Sequence, residues 1–83
     1  MNTDHEKRRD NRRKVLKGAF ISFNAGRSTL NCVVRNVSDS GALLTMANSI
    51  GVPDQFDLLF GDEKRHCVVV RRSLQSLAVS FAD

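Results

Sequence analysis

The 83-residue sequence contains no tryptophan, no tyrosine, one proline and two cysteines, and each shortage narrows what the chain can be. With five phenylalanines as its whole aromatic complement, it is poorly equipped to stack a run of nucleic-acid bases, which needs exposed aromatic platforms. Cys32 and Cys67 stand far apart, without a Cys-x-x-Cys pair or a histidine in ligand spacing, so neither a disulfide framework nor a zinc site is expected. Both read as reduced residues of an apolar interior. No apolar run approaches the roughly 18 residues of a membrane-spanning helix, and the N-terminus is charged where a secretion signal requires an apolar stretch. A cytoplasmic protein with no membrane partner is the expectation.

Signatures of catalysis are also missing. There is no phosphate-binding Gly-x-x-x-x-Gly-Lys-Ser/Thr loop, no dinucleotide glycine fingerprint and no histidine pair for a metal. His5 sits in a charged segment, and His66 alternates outward beside Cys67. Each reads as a solvated residue, because a general base needs a positioned partner; Ser38 lacks an activating base in the same way. No enzyme, no metal and no cofactor are expected.

What is present is an uneven charge. The net +4 resides in residues 1–17, where seven basic groups face Asp4, Glu6 and Asp10, while the rest carries six charges of each sign. The first 14 residues have almost no apolar side chains and no periodicity, so the pattern predicts a flexible basic arm over 1–14 and a folded domain over 15–83. An anionic partner is implied. Beyond the arm, apolar residues recur with the period of two that marks strands. Ala19, Ile21 and Phe23 form one apolar row, and Leu30, Cys32 and Val34 a second after the turn "NAGR". "GALLTMA" is a third strand and "SIGVPD" a loop. Phe56, Leu58 and Phe60 are followed by the turn "GDEK" and the returning strand "RHCVVVRR", and Leu77, Val79 and Phe81 complete the set. Six short strands in a chain this small predict an all-β, six-stranded antiparallel barrel, because closure removes the exposed edges an open sheet would present. Phe20 is the one phenylalanine whose phase points outward.

Two polar clusters remain. "EKRRDNRRK" contains the spacing Arg-x-x-x-Arg twice, as Arg8 with Arg12 and Arg9 with Arg13, and "RNVSDSGALL" places Asn36, Ser38 and Gly41 at a strand end. A guanidinium fork donates two parallel hydrogen bonds to the O6/N7 edge of guanine or to a phosphate, and its flat face stacks on a base. Asn36 supplies a donor and an acceptor, Ser38 a hydroxyl, and Gly41 room for a close backbone approach. Together these groups suit guanine plus phosphate.

At these residues the chain resembles the PilZ family of bacterial cyclic di-GMP receptor domains, whose signatures are Arg-x-x-x-Arg in an N-terminal arm and Asp/Asn-x-Ser-x-x-Gly at a strand end. They stand here as "RRDNR" and "NVSDSG", with Asn36 where Asp is frequent. The resemblance implies that Arg8, Arg9, Arg12 and Arg13 grip guanine edges and phosphates, that Asn36 reads a guanine edge, that Ser38 adds a polar contact and that Gly41 shapes the turn. It implies cyclic di-GMP as ligand, held as an intercalated pair because a basic residue precedes the first arginine of the motif, with the arm ordering over the barrel and relaying the signal to a downstream protein. Two other readings fit the same charges. One is a small basic barrel binding RNA or single-stranded DNA without sequence preference, for which nucleic acid is not the favoured partner here; the other is a PilZ-like interaction module that binds no nucleotide.

Overall fold

The computed structural model describes residues 12–83. Their strands are β1 (Arg13–Phe23), β2 (Ser28–Val37), β3 (Gly41–Thr45), β4 (Gln55–Phe60), β5 (Glu63–Ser73) and β6 (Ser76–Phe81). They form a closed antiparallel barrel in the order β1-β2-β3-β6-β5-β4, the expected architecture, and no helix occurs among the described residues. It follows that no helix there crosses a membrane, which says nothing about strands. β1 begins two residues before the expected domain boundary at 15; residues 1–11 of the expected arm lie outside the described residues.

The barrel consists of two three-stranded meanders, β1–β3 and β4–β6, joined along two seams. Five residue pairs, from Gly41↔Ser80 to Thr45↔Ser76, join β3 to β6, and three, Phe20↔Leu59, Ile21↔Leu58 and Ser22↔Asp57, join β1 to β4. The inward phase of every strand supplies the core. Ala19, Ile21, Cys32, Val34, Ala42, Leu44, Phe56, Leu58, Cys67, Leu77 and Val79 are buried, and Phe23, Leu30, Phe60 and Phe81 pack half-buried against them. Each fully buried aliphatic side chain such as Ile21, Leu44 or Leu58 contributes about 2 kcal/mol by leaving water. Phe20, in the opposite phase, is half exposed.

Turn chemistry follows the sequence. In "NAGR" the residues Asn24, Ala25 and Gly26 all take left-handed backbone angles, Gly26 N donates to Phe23 O at 3.1 Å, and the Asn24 amide donates to Ser28 Oγ at 3.0 Å. The segment between the meanders, residues 46–54, lies across one end of the barrel. Its buried Ser49 donates from N to Leu74 O at 2.8 Å and from Oγ to Ser73 O at 2.7 Å. Arg72 grips the same segment, donating to Ser49 O and to Asp54 Oδ1, both at 3.0 Å. Val52 enters the core from this loop.

The two cysteines are free and buried. Burial disfavours the thiolate, raising Cys32 from 9.0 to about 11 and Cys67 from 9.0 to about 12. The folded state therefore holds these protons more tightly than the unfolded chain. Their stabilising contribution is fully present below pH 9 and is lost as pH rises toward 11 for Cys32 and toward 12 for Cys67. Urea midpoints should fall above pH 9, each thiol adding a slope of about 1.4 kcal/mol per pH unit. Cys32→Ala, measured against its own midpoint below pH 9, should show a shallower fall; an unchanged slope would mean that the buried thiol does not titrate with folding.

Candidate functional site

The described end of the basic cluster meets the second cluster at the start of β1. Arg12 lies immediately before the strand, and its Nη1 donates to Asn36 Oδ1 at 2.8 Å, across 24 residues of sequence. Pairing explains the meeting, because Lys14 is opposite Asn36 on β2 and Asn36 is opposite Leu43 on β3. Lys14, Asn36 and Leu43 thus form one row across three strands.

Two bulges interrupt the ladder beside this row. The β1–β2 register jumps between Lys14 and Lys17, so Val15 and Leu16 together face Arg35. The β2–β3 register jumps between Val34 and Asn36, and on that side Arg35 is itself the extra residue. Bulges bend a strand and re-aim its side chains. Here they open a hollow of about 370 Å³ on the outer wall, lined by Lys14, Leu16, Arg35, Asn36 and Leu43. Among the described residues, that lining carries two cations and no carboxylate. With Arg12 beside it, the described part of the wall sets three cations next to an amide and two leucines.

The remaining described motif residues lie elsewhere. Arg13, one residue on, lines a different hollow at the open mouth of the barrel, also of about 370 Å³, together with Ser38, Asp39, Leu58, Phe60, Glu63, Arg65 and Phe81. Its charges are balanced. Arg65 stacks over the Phe81 ring at 4.1 Å and donates from Nε to Asp83 Oδ2 at 2.9 Å, and that hydrogen bond holds the Asp83 carboxyl below its ordinary value. Arg8 and Arg9 lie outside the described residues, as does His5.

Ser38 and Gly41 serve the turn. Ser38 is buried; its N donates to Gly41 O at 2.8 Å, its Oγ to the same oxygen at 3.4 Å, and Oγ accepts from Ser40 N at 3.3 Å. What approaches Gly41 closely is β6, since a Cβ there would lie 2.2 Å from Val79 O. The expectation that His66 lacks a positioned partner is corrected. Its Nδ1 is 3.0 Å from Asp57 Oδ1 and its Nε2 is 3.0 Å from Gln55 Oε1, because β4–β5 pairing sets Asp57 directly opposite His66. Both ring nitrogens lie within hydrogen-bonding distance of these neighbours, which makes a cross-strand contact between β4 and β5.

Lys14, Leu16, Arg35 and Leu43 complete the wall hollow and were not singled out by sequence reasoning. The available signal was "VVRN", where a cation on the outward phase of the strand stands just before the motif. No protein-family model matches the chain, and no curated protein matches it.

The roles of Gly41 can be separated experimentally. Gly41→Ala drives a methyl into the Val79 carbonyl and should destabilise the barrel by about 3 kcal/mol, the upper range for overpacking, in urea unfolding without any ligand. A variant as stable as the parent would show that β3 and β6 can part there freely.

Proposed function

We propose that the protein is a cyclic di-GMP receptor whose ligand rests on the outer wall between β1, β2 and β3. The observation that supports this reading is the Arg12–Asn36 hydrogen bond, which joins the last arginine of Arg8-x-x-x-Arg12 to the first residue of Asn-x-Ser-x-x-Gly beside a cationic hollow. A guanidinium has five N–H donors, so Arg12 retains a fork for a guanine edge or phosphate after serving Asn36. Asn36, with Oδ1 occupied by Arg12, offers its NH₂ to the acceptors O6 and N7 of guanine. Lys14 and Arg35 supply charge for the phosphates, and the sequence places Arg8 and Arg9 a few residues upstream. Ser38 acts through the turn it holds, and Arg13 from the barrel mouth. The receptor carries out no catalytic step. It works in the cytoplasm, and its basic N-terminal segment, closing over an intercalated pair of ligands, presents the surface that a downstream protein reads.

Isothermal titration with cyclic di-GMP should give micromolar or tighter binding with two ligands per protomer, and GMP and cyclic di-AMP should compete poorly at the same ionic strength. Adenine presents an amino donor where guanine presents O6, so the arginine fork loses an acceptor. Arg12→Ala should weaken binding by more than about 1.5 kcal/mol, the scale of a hydrogen bond to a charged group. No heat and no thermal shift at excess ligand would reject the proposal; one ligand per protomer would reject only the pairing. Tight, steeply salt-dependent binding of single-stranded oligonucleotides instead would favour the nucleic-acid reading, with Phe20 as its exposed aromatic.

A further inference from the structure

Leu16 is an anomaly in the wall. It adopts φ 53°, a left-handed conformation that Gly and Asn take readily and a branched aliphatic residue resists. Its side chain is 66% exposed, so core burial does not explain why leucine stands there. The barrel would be served as well by glycine or asparagine at this bulge. A disfavoured backbone angle combined with an exposed apolar side chain, at the lip of a hollow shared with a lone cationic bulge residue, points to a contact outside the chain, since strain of this kind collects at ligand sites.

Resting on the receptor reading above, we infer that the paired bulges form a platform for the base, with Leu16 and Arg35 as ligand-contacting residues that neither sequence motif contains. Leu16, with Leu43 in the same lining, supplies an apolar surface for the face of a purine. Arg35 is the single residue facing Val15 and Leu16 on β1 and the extra residue against β3, and it shares the lining of the hollow with Leu16. There it meets the phosphate attached to the base or lies flat on the ring. The left-handed angle at Leu16 is the conformation that carries its side chain to this place, and the bulge keeps it there.

Four variants of the full chain test this by titration with cyclic di-GMP and by thermal melting without ligand. Leu16→Gly and Leu16→Asn relieve the backbone, so they should melt at or above the parent while binding about tenfold more weakly through loss of the apolar contact. Leu16→Met keeps the apolar reach and should bind within about twofold of the parent. Arg35→Gln should bind about tenfold more weakly, with a shallower dependence on salt. Parent-like affinity of Leu16→Gly and Leu16→Asn, or melting well below the parent, would assign Leu16 to the fold and overturn the inference while the receptor reading stands. Parent-like affinity of Arg35→Gln would remove Arg35 from the site. Failure of the parent itself to bind cyclic di-GMP would overturn both readings.

Discussion

The approach of Gly41 to the Val79 carbonyl is the constraint on which the molecule turns. A Cβ at Gly41 would reach within 2.2 Å of that oxygen, so β3 begins where only glycine allows two backbones to lie this close. From Gly41 the β3–β6 seam runs for five residue pairs, and with β1–β4 it is one of the two strand-pairing seams that join the meanders among the described residues. The turn preceding Gly41 is held by Ser38 through its backbone and its hydroxyl, which fixes where β2 ends. Asn36 is then placed opposite Lys14 and Leu43, and Arg12 within reach of Asn36. Barrel closure and site geometry are thus set by one short segment, which explains how a motif suited to ligand chemistry can devote half its residues to the backbone.

Strand count, barrel closure and core composition were legible because alternation reports the face on which a side chain lies. Ile21, Cys32, Val34, Phe56, Leu58, Leu77 and Val79 all fall inside as their phase predicts. Register is a different matter. It depends on pairings between distant strands, and a bulge changes the parity of everything beyond it. Leu16 and Val70, each within such a register shift, are therefore exposed despite apolar neighbours, and Arg35 becomes a wall residue at the meeting of two shifts. His66 illustrates the same limit. Its partners Asp57 and Gln55 lie on β4, and only the β4–β5 register reveals them.

Consecutive arginines are likewise separated by strand geometry. Successive residues of a strand point to opposite faces, and where β1 begins Arg12 reaches the wall while Arg13 lines the mouth. A sequence motif written as one basic run is thereby divided between two hollows of similar size. Their electrostatics differ. Among the described residues, the mouth sets Arg13 and Arg65 against Asp39 and Glu63, whereas the wall hollow has Lys14 and Arg35 with no carboxylate in its lining. Among the described residues, an anion gains more at the wall, where no carboxylate of the lining competes for the cations.

This difference gives a physical meaning to Asn36 in a place where the family resemblance would more often supply aspartate. An aspartate at 2.8 Å from Arg12 would form an ion pair, neutralise the guanidinium and compete with any phosphate for it. At an exposed site that pair would add only about 0–1 kcal/mol to stability. The asparagine oxygen orients Arg12 through a neutral hydrogen bond and leaves its full charge facing outward. A preset cation reaches a ligand without the side-chain ordering that a freely rotating arginine would undergo on binding. Asn36 therefore exchanges the acceptor strength of a carboxylate for an arginine that is positioned and still charged, which suits a wall whose other contributors are Lys14 and Arg35.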